Sequence, residues 1–147
     1  MQISKIQVTN FRLLHKVTLQ LEPATTVIVG RNNCGKTSLS DVIRRFLEDK
    51  SSFEIEDFSS ACYDQFCAAL RAHGKGASEP QIRALIPYIE LRIHVSYNPS
   101  IPEFGALNEF VIDTDDACTE AVVVCRHALG DGSIKAFFEG HEGLTFE

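Results

Sequence analysis

The run Gly30, Arg31, Asn32, Asn33, Cys34, Gly35, Lys36, Thr37 fits GxxxxGK[ST] at every required position. No other feature constrains the fold as strongly. Glycines at both ends of the turn let the backbone curl, so that successive N–H groups point into one concavity that suits phosphate oxygens. A helix opening near Gly35 adds its positive N-terminal end. Lys36 supplies an ammonium for the outer phosphates, and the Thr37 hydroxyl is a hard oxygen ligand of the kind Mg²⁺ takes. The candidate site therefore runs from Gly30 to Ser38.

Context tests such a motif, which is expected to follow a strand and open a helix. Residues 25–29 (TTVIV) form a short β-branched apolar run, which predicts a buried strand leading into the turn. Behind it, Leu39, Val42, Ile43, Phe46 and Leu47 make one apolar stripe at helical spacing, predicting a helix over 37–48. Upstream, alternation predicts strands over 2–9 and 16–21 on either side of Asn10, Phe11 and Arg12.

Downstream, a second helix is expected over about 60–72, with Cys62, Phe66, Ala69 and Leu70 inward. The stretch 73–78 (HGKGAS) looks flexible, and residues 79–86 have room for one or two helical turns before Pro87. Residues 88–97 give the clearest strand: Ile89, Leu91, Ile93 and Val95 face one way, and Glu90, Arg92, His94 and Ser96 the other. Shorter strands are predicted over 109–113 and 120–128. A turn at 129–132 then leads into a last strand over 133–138.

Charge is unevenly spread. Residues 1–50 hold eight Lys and Arg against four Asp and Glu, whereas residues 51–147 hold six against sixteen. The basic half contains the phosphate turn. The acidic half argues against this chain alone as a strong DNA binder, because phosphate contacts dominate that affinity. Five cysteines without a CxxC pair suit reduced thiols better than a zinc site. No apolar run approaches the roughly 18–20 residues of a membrane span, and the start of the chain alternates rather than forming a signal peptide. A cytoplasmic setting and no membrane partner are expected.

The turn with its asparagines (GxNxxGKTS), and the opening order of strand, Asn10, Phe11, Arg12, two more strands and GRNNCGKTSLSDVI, resemble the ABC and SMC-like ATPases. RecF- and SMC-type replication and repair ATPases begin this way, as does the ATPase half of OLD-family endonucleases. The loop with Asp57 and Phe58 and the strands after residue 88 lean toward the OLD family. The resemblance is specific over 1–48 and loose beyond.

It implies an α/β P-loop NTPase fold: the N-terminal lobe of an ABC/SMC-like ATPase head, with an antiparallel β layer. The cofactors implied are ATP and Mg²⁺. Nucleotide-binding residues would be Arg12, Gly30, Arg31, Asn32, Asn33, Cys34, Gly35, Lys36, Thr37 and Ser38. Thr37 would hold Mg²⁺, and Lys36 would be the catalytic group.

Members of the superfamily also need a signature motif and an apolar strand ending in Asp-Glu, and OLD-type enzymes add a nuclease domain. None of these is legible here, nor is a Q-loop glutamine among Gln65 and Gln81. Asp113 reads more as part of a solvated acidic turn over 113–116 than as a second metal-binding acid. The chain is expected to be one ATPase domain over 1–147, the incomplete N-terminal portion of a longer protein. That protein would dimerise through its ATPase heads and reach DNA through its other parts. Three functions stay open: the ATPase module of an OLD-like nuclease, plausibly in phage defence; a RecF/SMC-like repair ATPase; and an ATP-dependent assembly or sensor module without hydrolysis.

Overall fold

The structure, a computed structural model, describes residues 1–49, 52–98, 117–132 and 134–140. Its base is a four-stranded antiparallel sheet in the order β2-β1-β3-β4. The strands are β1 (Gln2–Phe11), β2 (Leu14–Gln20), β3 (Ile89–Ser96) and β4 (Glu120–His127). Alternation sorts the side chains into cross-strand rows. Leu19, Ile6, Ile93 and Val123 form one inner row, and Val17, Val8, Leu91 and Cys125 the next. Lys16, Thr9, Glu90 and Arg126 line up on the opposite face.

The inner face carries the core. The phosphate-turn helix α1 (Lys36–Arg44) lays Leu39 and Val42 onto it, and Phe11, Leu14, Phe58 and Cys62 complete the same cluster. Each fully buried aliphatic side chain there contributes about 1.5–3 kcal/mol by leaving water.

Val8 and Phe11, three residues apart, would face opposite sides of a regular strand, yet both are buried in this cluster. Asn10 resolves the conflict. It adopts a left-handed conformation (φ 63°), and its amide donates to the Tyr88 carbonyl at 3.0 Å. Asparagine tolerates that conformation better than most side chains. Arg12, in the tight turn to β2, is also left-handed (φ 47°).

After α1 the chain widens into a π-helical turn (Arg45–Asp49). Short 3₁₀ turns at Ile55–Asp57 and Ser60–Cys62 lead into α2 (Tyr63–Gly74), so the helix expected over 60–72 starts at Tyr63 and reaches into the stretch that looked flexible. Next comes α3 (Glu79–Arg83), whose capping box pairs Ser78 with Gln81. That role accounts for one of the two candidate Q-loop glutamines; the other, Gln65, lies exposed on α2.

Two expectations are corrected. Residues 133–138 were expected as a strand, but α4 (Ile134–Phe138) is helical. Ile134 and Phe138, spaced i, i+4, bury together against Ala69 and Ile82 in a second small core; that spacing falls on one face in a helix and in a strand alike, so the pattern alone did not decide the state. Residues 25–29 form no strand: Val27 and Val29 are 76% and 84% exposed. A β-branched run becomes a strand only beside partner strands, and none of the four described strands pairs with it. The predicted 109–113 strand, Asp113 and the acidic turn lie outside the described residues. Among the described residues no helix is long and apolar enough to cross a membrane.

Candidate functional site

The turn over residues 30–37 leads into α1 as expected, but no strand precedes it. Asn33 (φ 62°) and Gly35 (φ 92°) are both left-handed, and this reverses the backbone between the extended segment and α1. Gly35 is the N-cap of α1, and its carbonyl accepts the Leu39 N–H at 2.9 Å. A Cβ at this position would meet Leu14 Cδ2 at 2.8 Å, so both the conformation and the floor of the loop demand glycine. At Gly30 the nearest atom to a built Cβ is Cys34 Sγ, at 2.7 Å. The loop closes on itself at that point.

A cavity of about 300 Å³ opens above this curl. Its wall consists of Asn32, Asn33, Cys34, Gly35, Lys36, Thr37 and Ser38, with Leu13 from the β1–β2 turn. The lysine is folded over the loop: Lys36 Nζ donates to the carbonyls of Gly30 (2.5 Å) and Arg31 (2.7 Å) and lies 3.5 Å from Cys34 Sγ. Arg31, Asn32, Asn33, Cys34 and Thr37 are exposed, and Ser38 is buried beneath them. The structure thus brings residues 32 to 38 around one concavity at a helix N-terminus, with Gly30 and Arg31 tied to it by their carbonyls through Lys36.

A Mg²⁺ ion would find one protein oxygen here rather than a protein cage. Among the described residues no group of three His, Cys, Asp or Glu side chains stands ready to hold a metal. The exposed Thr37 hydroxyl at the start of α1 fits a cation that takes one protein oxygen and completes its shell with phosphate and water.

Arg12 is displaced from the loop itself by one residue, with Leu13 lining the cavity in its place. Its guanidinium is held by two acids. Nε and Nη2 donate to Asp57 Oδ1 at 3.0 and 2.8 Å, and Nη1 meets Asp41 Oδ2 at 2.9 Å. Arg45 completes the set, with Nη1 2.7 Å from Asp57 Oδ2 and Nε 3.3 Å from Asp41 Oδ2. Burial is the largest influence on Asp57 and opposes its ionisation. The Glu54 N–H, the Arg12 hydrogen bonds and the charges of Arg45 and Arg12 outweigh it, so the carboxyl sits below its ordinary value. Asp41 behaves alike: burial raises it, and Arg44, Arg45 and Arg12 together bring it down.

Sequence reasoning missed this network. The i, i+4 pair Asp41 and Arg45 was a legible half of it; the contribution of Asp57, from a loop, was not. On the outer sheet face two further polar groups are satisfied. Glu90 binds Arg92 (2.6 Å) and Arg126 (2.8 Å), while His94 bridges Gln7 and Glu120. His127 lies among Phe53 and Phe58, and its burial lowers its pKa against the opposing pull of Asp57. All five cysteines are free thiols.

Comparison with known proteins agrees with this geometry. Residues 1–120 match the family model described as AAA ATPase domain. A stretch of 43 residues, 29% of this chain, is 46% identical to a DNA replication and repair protein RecF from Arthrobacter sp. (strain FB24). Another of 53 residues, 35% of this chain, is 40% identical to a chromosome partition protein Smc from Chlorobaculum tepidum. The chain spans only 11% and 4% of those relatives' own lengths. With the family model matched over most of its residues and both relatives of the ABC/SMC-like kind, the chain belongs to the AAA ATPase domain family within the ABC/SMC-like superfamily of ATPases.

Proposed function

We propose that residues 30–38 bind MgATP and that the chain is the ATP-binding module of a DNA-processing P-loop ATPase. One observation carries the reading: a loop with two left-handed residues, a lysine folded over its rim and an exposed threonine at a helix start surround a single cavity. Backbone N–H groups and the Lys36 ammonium would hold the phosphates, with Lys36 also offsetting charge that grows on the outer phosphate during transfer. Thr37 would supply one oxygen to Mg²⁺, which when bound neutralises phosphate charge. Arg12, beside the loop, would meet the nucleotide from the β1–β2 turn.

The role in DNA processing rests on the likeness to RecF and Smc, whose names refer to DNA repair and chromosome partition. An OLD-like endonuclease is the finer reading favoured by the sequence. The likeness to RecF and Smc favours the second reading, a repair ATPase without nuclease. In both, DNA is reached through the longer protein, in the cytoplasm, by two heads facing each other. This chain alone then hydrolyses little.

Titration with a fluorescent ATP analogue and Mg²⁺ tests the core of the proposal. Replacing Lys36 by alanine removes a charge-assisted contact and lowers affinity about 10- to 100-fold. An unchanged dissociation constant would remove the assignment. Plasmid cleavage by the longer protein separates the nuclease reading from the repair reading.

A further inference from the structure

Arg12, Asp41, Arg45 and Asp57 form a closed square in which each guanidinium touches both carboxylates. Its corners come from three places in the chain: the β1–β2 turn, the phosphate-turn helix with its π-helical end, and the 3₁₀ turn at Ile55–Asp57. Burial is graded across it. The Asp57 side chain is 7% exposed and that of Arg12 is 37% exposed. Asp57 is also fixed from its own side: Oδ2 accepts the Glu54 N–H at 3.1 Å, and its main-chain carbonyl accepts the Arg12 N–H at 2.8 Å. A rigid acid on the inside is therefore joined to an arginine at the surface.

Arg12 does not line the cavity itself, but the two residues that follow it reach the phosphate turn. Leu13 lines the cavity, Leu14 packs beneath Gly35, and Asp41 stands one helical turn beyond Thr37. A guanidinium has five N–H donors. On Arg12, Nε and Nη2 donate to Asp57, and Nη1 lies 2.9 Å from Asp41 Oδ2 in an ion pair. The two hydrogen bonds to Asp57 leave N–H donors on both terminal nitrogens for an anion such as phosphate. An untethered arginine would have to lose its rotamer freedom when it met the anion. Here two carboxylates have already removed most of that freedom.

We propose that Asp57 is a positioning residue of the nucleotide site, acting through Arg12 to hold its guanidinium beside the phosphate turn. The inference rests on the MgATP reading of residues 30–38. It goes further by assigning the orientation of Arg12 to a residue 45 positions away in sequence. A purely structural role would instead have the square do no more than tie the 3₁₀ turn to α1.

A double-mutant cycle distinguishes the two, read as MgATP-analogue affinity well below each variant's melting temperature. Asp57→Asn keeps the side chain's shape and an acceptor for the Glu54 N–H but removes the charge. It weakens binding about tenfold, the effect of losing one charge-assisted contact, as does Arg12→Ala; in the Arg12→Ala background Asp57→Asn adds nothing. The same cycle with Asp57→Glu, which keeps the charge and shifts the carboxylate by one methylene, gives the same non-additivity without the charge loss that endangers folding. Wild-type affinity in both Asp57 variants, or losses that add in full to that of Arg12→Ala, overturns the inference. Lys36→Ala separates this from failure of the site itself: if that variant also binds normally, the MgATP reading is at fault rather than the role of Asp57.

Discussion

At Gly35 two independent demands meet on one residue. Its φ of 92° disfavours ordinary side chains, and a Cβ there would crowd a Leu14 methyl at 2.8 Å. Gly35→Ala should therefore lower stability by about 1–3 kcal/mol, read as a drop in melting temperature, and should abolish nucleotide-analogue binding by forcing the loop off α1. His127 makes a separate prediction. Its pKa is lowered from 6.5 by burial, so the unfolded chain takes up the proton first, and stability declines as pH falls from about 6.5. His127→Gln should flatten that part of a stability–pH curve. Residues such as these differ in legibility. Gly30, Gly35, Lys36 and Thr37 were readable because their chemistry depends on spacing within eight positions. Asp57 was not, since its meaning comes from Arg12 and Arg45, which only the fold brings to it.

Among elements, β1, β2, β3 and β4 were legible because alternation reports a two-faced strand directly. The helix α1 was legible through its apolar stripe. Where a segment's state depends on a neighbour, the pattern alone misled. Residues 133–138 contain hydrophobics compatible with either period, and the choice fell to burial of Ile134 and Phe138 against α2 and α3. Residues 25–29 have strand composition yet no partner, and they stand in solvent. Val29 adds nothing to the core of this chain. Val29→Thr should leave the melting temperature within about 0.5 kcal/mol of equivalent stability while reducing aggregation in a light-scattering assay. A large loss of stability would mean that the segment packs in solution.

Across the whole molecule, the sheet separates two kinds of stabilisation. The inner face buries aliphatic side chains, and the outer face buries Glu90 beneath two arginines. Burial raises the pKa of Glu90, and the Arg92 and Arg126 hydrogen bonds and charges more than reverse it. Asp41 and Asp57 behave likewise, so the folded pKa of each of these little-exposed carboxylates lies below the unfolded value of 3.8 for the aspartates or 4.5 for Glu90. Their contribution is complete above those values and is lost as pH falls through the lower folded ones. Beyond the shallow decline from His127, urea midpoints should fall steeply only below about pH 5, with Glu90→Gln and Asp57→Asn shallowing that acid limb.

The lysine bent over its own loop has a thermodynamic consequence. Because Lys36 already donates to the Gly30 and Arg31 carbonyls, each incoming phosphate oxygen replaces an existing acceptor rather than satisfying a bare cation. Capture is then a swap between comparable partners. Its calorimetric heat will be smaller than a tally of the final contacts suggests, and the two released carbonyls must find water or new donors before the loop can settle around its guest.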